Sequence, residues 1–222
     1  MPQPLIITAA LTGAEVTRNA VLSSPQHGIK ASMRSPQMLP AVAVVDPDLL
    51  ASLPKAVLAA SGLDALSQLI EPFVSIRAQP LTDALVRDGM TRSARSLRRA
   101  YELGVSEPES FAVREDLALA SLFGGLALAN AGLGVVHGFA APLGGSLKAA
   151  HGVLCACLLP ASVTVNVEAL RRRDPHNPAL ARYAEVAKLL TGSPKADIDD
   201  GVRWLRELTS ALSIPGLAAL GL

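Results

Sequence analysis

The chain has 222 residues, with 20 Lys and Arg against 19 Asp and Glu, and a formal charge of +1 argues against a polyanion-binding module. Half the residues are hydrophobic, yet one Trp, two Tyr and four Phe are too few for RNA-stacking platforms or aromatic cages. Low charge and sufficient length exclude disorder and leave a folded chain of one large or two small domains, its apolar mass supplied by Ala, Leu, Val and Gly.

The first elements are short. Leu5 to Thr8 and Ala41 to Val45 read as buried strands, the second ended by Asp46-Pro47. Between them Val16 to Met33 alternates loosely around Ser23-Ser24-Pro25, which predicts a hairpin. Two or three strands have no obvious sheet to complete, so residues 1–53, of mixed or β character, look cut out of something larger. From Pro54 the spacing turns helical, and 54–222 are expected to form a helical domain.

Pro80 opens a helix whose apolar stripe is Val86, Met90, Ala94, Leu97 and Tyr101. Arg92, Arg95 and Arg99 lie on another face with Asp88 and Glu102; we read it as a solvated face rather than a phosphate site. Further helices are predicted at Pro108 to Ala129, Val135 to Leu147, Val153 to Leu170, Pro178 to Leu190 and Ile198 to Leu212. The stretch from Leu117 to Leu147 lacks Asp, Glu, Lys and Arg and is long enough to span a bilayer. Its Gly and Ala content, with Asn130, His137 and Pro142, favours the buried core of a soluble protein over membrane insertion.

Cys155 and Cys157 are too close together for an ordinary bridge and too few for a disulfide framework. With no basic region before the apolar N-terminal run, the expectation is a reducing, cytoplasmic setting.

Chemistry is confined to a few side chains. His27 and His176 fall in polar turns and are set aside, whereas His137 and His151 sit in the least charged part of the chain, each followed by Gly. Buried imidazoles need a hydrogen bond or a ligand, so each is either a satisfied core residue or part of a site. Pro142 and Gly144-Gly145 are able to break the helix between them, so the two could converge on one point, which spacing alone does not establish. Asp64 and Gln68, four apart in an otherwise apolar helix, project from one face. They either bond locally or join the two imidazoles as three or four metal donors. Gly132-Leu133-Gly134-Val135-Val136-His137-Gly138 has the wrong glycine spacing for a dinucleotide fingerprint.

Four segments in order resemble the iron-containing (group III) alcohol dehydrogenase family. They are Thr12-Gly13-Ala14-Glu15-Val16-Thr17-Arg18, Leu39-Pro40-Ala41-Val42-Ala43-Val44-Val45-Asp46-Pro47, Gly62-Leu63-Asp64-Ala65-Leu66, and His137-Gly138-Phe139-Ala140-Ala141-Pro142-Leu143-Gly144-Gly145 followed by His151-Gly152. The resemblance implies a mainly α chain: the helical metal-binding domain of a dehydroquinate synthase-like fold, preceded by a small β or α/β remnant. It looks like a truncated member, lacking the glycine-rich loop that holds the cofactor pyrophosphate.

Carried over by position, the metal ligands are Asp64, Gln68, His137 and His151, with Gln68 standing where the family normally has His. Thr8 and Thr12 match threonines beside the nicotinamide, while Ala9 and Leu11 replace a threonine and a glycine. Ala141 stands where many members have a proton-relaying histidine. The implied reaction is hydride transfer between a small alcohol and its aldehyde or ketone and NAD(P), supported by a divalent metal, Fe²⁺ or Zn²⁺, with the nucleotide requiring the absent domain. A homo-oligomer or a complementing chain is an expected partner; nucleic acid and membrane are not. The alternatives are a non-catalytic helical subunit and a metal-independent reductase resembling maleylacetate reductase.

Overall fold

The structure, a computed structural model, describes residues 5–7, 11–24, 26, 29–147 and 149–222. Strands come first: β1 (Leu5–Ile7), β2 (Asn19–Ser24), β3 (Ile29–Arg34) and β4 (Ala43–Val45). β1 and β4 pair in parallel, Leu5 opposite Ala43 and Ile7 opposite Val45, while β2 and β3 form an antiparallel hairpin, Asn19 opposite Arg34. Val21, Leu22, Met33, Val42 and Val44 leave apolar surface exposed on and beside these strands.

Seven α-helices follow among the described residues: α1 (Lys55–Phe73), α2 (Pro80–Leu103), α3 (Phe111–Ala131), α4 (Val135–Ser146), α5 (His151–Arg173), α6 (Pro178–Thr191) and α7 (Ile198–Ala211). Their order and spacing are those expected from the apolar periodicity, and the chain is mainly α. Starts are set by local chemistry. Gln79 and Thr82 form a reciprocal cap at the entry to α2, with Pro80 at a position whose N–H has no helical partner. Asp197 and Asp200 do the same for α7.

Every residue of α1 from Leu58 to Phe73 is buried, so this helix is the axis around which α2, α3, α4 and α5 pack. Close approach depends on side chains that are missing. At Gly62 a Cβ would collide with Leu97 of α2, and at Gly152 it would stand 2.9 Å from the Ala60 carbonyl, which lets the start of α5 lie directly on α1. Arg182 of α6 closes the far end of α1, donating to the Phe73 carbonyl and pairing with Asp83 at 2.9 Å.

α4 runs through Pro142 to Ser146, close to the predicted Val135 to Leu147. The carbonyl that Pro142 leaves without a helical partner belongs to Gly138, which is exposed, so water can satisfy it. Two details differ from expectation. Ala43 and Val44 of β4 are exposed, not buried. α5 starts at His151, two residues earlier than predicted, because the first turn of a helix needs no amide partners from its own residues.

The uncharged run from Leu117 to Leu147 is not one rod, since α3 and α4 meet at 98° across Gly132–Gly134. The described helix that is long and apolar enough to cross a membrane is α5, whose Leu154, Leu159, Val163 and Val167 are buried in the helical core. Arg92 and Arg95 do not lie on a merely solvated face; both converge on the buried carboxylate of Asp116 in α3, which also accepts from Ser96 at 2.6 Å. Arg92 and Arg95 tie α2 to α3 and are spoken for as anion binders.

Candidate metal centre

A helix buried on all sides must satisfy every polar group it carries. α1 carries three on one face, Asp64, Gln68 and Glu71, spaced one turn apart. Glu71 is satisfied by α4: its Oε1 accepts from the Val136 amide at 2.7 Å, and its Oε2 lies 2.6 Å from Nδ1 of His137. The carboxylate thus stands at the N-terminus of α4, where free amides favour negative charge, and Gly134 leaves it room. That contact fixes the His137 ring, turning Nε2 back toward α1.

There His137 Nε2 lies 3.2 Å from Asp64 Oδ1, without the alignment of a hydrogen bond. His151 Nε2, from the first turn of α5, lies 3.9 Å from the same oxygen, and the two imidazole centroids are 5.4 Å apart. Gln68 makes a long bond from Nε2 to Asp64 Oδ2, 3.4 Å. Four buried side-chain polar atoms among the described residues lack a hydrogen-bond partner, and three of them are Asp64 Oδ1, Gln68 Oε1 and His137 Nε2. Asp64 Oδ1 and His137 Nε2, 3.2 Å apart and without hydrogen bonds, with His151 Nε2 3.9 Å from the same oxygen, make the arrangement a cation requires and a hydrogen-bonded core would avoid.

Burial works against a charged His137, but Asp64, Cys155 and Glu71 outweigh it and hold the ring's pKa up to about 12. The donor set of carboxylate, imidazoles and amide oxygen therefore fits a divalent ion.

The structure thus brings Asp64, Gln68, His137 and His151 together, from three helices. Thr12 stands apart, exposed in the loop after Leu11, and Thr8 lies outside the described residues, as does His27. His176 is exposed in the turn before α6. Leu11 has φ 72 and a buried side chain, so the left-handed backbone that favours glycine is kept and the leucine is turned into the core. Ala141 is exposed on α4 with no group to move a proton.

Sequence reasoning missed two residues. Glu71 was signalled by its seven-residue spacing from Asp64. Cys155, one turn after His151, joins the cluster: its Sγ is 3.5 Å from His151 Nε2, and the ligand atoms of Asp64, His137, His151 and Cys155 all lie within 4.8 Å of one another. Burial pushes the Cys155 thiol up to about 12, His137 pulling against it and Asp64 adding to it. A cavity of about 880 Å³ opens on His137 and Gly138, walled by Thr17, Arg18 and Arg34 from the strand region and by Arg77 after α1.

Residues 58–222 match the family model of the Fe-containing alcohol dehydrogenase family, C-terminal, and residues 1–47 match that of iron-containing alcohol dehydrogenase. The chain is similar to the 1,3-propanediol dehydrogenase of Klebsiella pneumoniae, 38% identical across 96% of this chain and 54% of that protein. It is also similar to alcohol dehydrogenase 4 of Saccharomyces cerevisiae (strain S288c), 35% identical across 97% of this chain and 53% of that protein. A crystal structure of 1,3-propanediol oxidoreductase superposes with a TM-score of 0.84 at 34% identity, over 100% of this chain and 58% of that one. The chain thus spans about half the length of the curated relatives it matches. With these segments, this fold and this cluster of donors, the chain belongs to the iron-containing alcohol dehydrogenase family.

Proposed function

We propose that this chain is the metal-bearing part of a nicotinamide-linked alcohol dehydrogenase, with residues 54–222 as the metal and substrate domain and 1–53 as part of the nucleotide-binding one. Asp64, His137 and His151 would hold a divalent ion, Fe²⁺ or Zn²⁺, with Gln68 as a further oxygen donor. The observation that carries this reading is that the ligand atoms of Asp64, His137 and His151 lie within 4.8 Å of one another, with Asp64 Oδ1 and His137 Nε2 free of hydrogen bonds.

The bound ion would supply Lewis acidity toward the oxygen of a small alcohol, aldehyde or ketone. The chain's own residues do the rest. Glu71 holds the tautomer and direction of His137 through Nδ1. Buried Leu63, Leu66 and Ala65 on α1 exclude water from the inner side of the cluster, so charge placed there is poorly screened. The cavity at His137 and Gly138 gives a substrate access from the outer side. Hydride would pass between the alcohol carbon and NAD(P), with Thr8 and Thr12 bordering the nicotinamide.

The free Cys155 and Cys157 support a reducing, cytoplasmic setting. Retained donors favour this reading over a metal-independent reductase. A second reading, a helical subunit completed by another chain or by a second copy, draws on exposed Val42 and Val44 at the two-stranded parallel pair.

Metal analysis combined with NAD(P)H fluorescence titration on the purified chain tests the proposal. About one divalent ion per chain, lost in Asp64→Asn and in His137→Ala, is expected, with nucleotide bound only when the rest of the nucleotide-binding domain is supplied. Absence of metal would overturn the metal-centre reading and favour the second.

A further inference from the structure

We propose that the Cys155 thiolate is the fourth protein donor of the metal centre, in place of the imidazole that Gln68 does not provide, and that the site therefore retains Zn²⁺ in preference to Fe²⁺. This rests on the metal-centre reading above and adds a donor to it.

Cys155 follows His151 by four residues on α5, so both side chains leave the same face of the helix. Its side chain is wholly buried, and it points toward Asp64 and His137 rather than into an apolar layer. Three of the six donor separations lie near those of a four-donor shell, and all are within 4.8 Å. Zinc bonds of about 2.0–2.3 Å at tetrahedral angles place neighbouring donors roughly 3.3–3.6 Å apart. Asp64 Oδ1 to His137 Nε2 is 3.2 Å, His151 Nε2 to Cys155 Sγ is 3.5 Å, and Asp64 Oδ1 to His151 Nε2 is 3.9 Å. Asp64 Oδ1, on a residue only 3% exposed, faces both imidazoles yet accepts no hydrogen bond, which is the independent sign that something is held there.

Gln68 is poorly placed to compete. Its amide nitrogen is engaged with Asp64 Oδ2, which orients the carboxylate, and a neutral amide oxygen is the harder and weaker donor. A thiolate is soft and negatively charged. With Asp64 it balances the charge of a divalent ion, and its softness moves selectivity from iron toward zinc. The step is a simple exchange without redox change: the S–H bond breaks, the proton leaves to solvent, and the metal–sulfur bond forms.

X-ray absorption at the zinc edge of the zinc-loaded full chain should show one sulfur neighbour at about 2.3 Å. A shell of nitrogen and oxygen alone would overturn the proposal, whatever any variant does. The cobalt-substituted chain should show a near-ultraviolet thiolate-to-metal band that Cys155→Ser abolishes and Cys157→Ser leaves intact. In competition with a chelator, Cys155→Ser should weaken zinc binding at least tenfold and iron binding less. If the band and the zinc affinity survive Cys155→Ser, the cysteine is not a ligand, while the Asp64, His137 and His151 centre stands. If the unaltered chain binds no metal, this inference and the metal-centre reading both fail.

Discussion

Glu71 Oε2 lies 2.6 Å from His137 Nδ1, so one carboxylate on the central helix fixes the imidazole that faces a second carboxylate, Asp64, two turns away on the same helix. Outer partners of this kind set both the ring orientation and its basicity. Glu71→Gln keeps an oxygen for the Val136 amide but loses the charge that steadies His137. The variant should fold and bind the metal about 10–100-fold more weakly, measured by competition with a coloured chelator. Unchanged affinity would leave Glu71 as a helix cap alone.

Gln68→His restores the imidazole usual at that position. Gly124 of α3 lies over residue 68 without a side chain, so a ring can enter with small adjustments. Metal should be retained at least tenfold more tightly, read from dissociation rates in the presence of chelator. Unchanged occupancy would count against donation from position 68.

Gly13 marks the tightest contact between the strand region and the helices. It has φ 64, its amide donates to Ser121 Oγ at 3.0 Å, and a Cβ there would stand 2.6 Å from Gly125 Cα. Gly13→Ala should destabilise the fold by about 2–4 kcal/mol through overpacking and left-handed strain, seen as a lowered urea midpoint.

Asp116 provides the pH dependence. Burial alone would raise its carboxyl, but the bonds from Arg95 and Ser96 and the charges of Arg95 and Arg92 leave it below the ordinary carboxylate value. The unfolded carboxyl therefore takes up a proton first. The cluster's contribution is complete above the unfolded value near about 4 and is lost as pH falls through the lower folded one. Asp116→Asn should cost about 1–3 kcal/mol at neutral pH and flatten the acid limb of the stability profile, measured by urea unfolding at stepped pH.

Helix order and most helix ends were legible in the sequence because apolar spacing and Pro or Gly punctuation report local physics. The hairpin and the two paired strands were legible for the same reason, but the expected burial of the second was not met, since Ala43 and Val44 are exposed. What spacing could not supply was convergence. His137 and His151 meet Asp64 because Gly152 admits α5 onto α1 and Glu71 anchors α4, both relations between distant segments. Cys155 escaped notice because it was weighed as half of a cysteine pair rather than as the residue one turn beyond a histidine.

The three helices that meet at the centre are held unequally: α1 is buried along nearly its whole length, whereas α4 buries only Val136, Ala140 and Gly144. His137 rides on the looser of them. An ion held there would be released by an outward swing of this short segment, and exchange would outpace denaturation of the chain as a whole. Occupancy would act as a latch on α4, readable as slowed amide deuteration along Val135–Ser146 when the latch is shut.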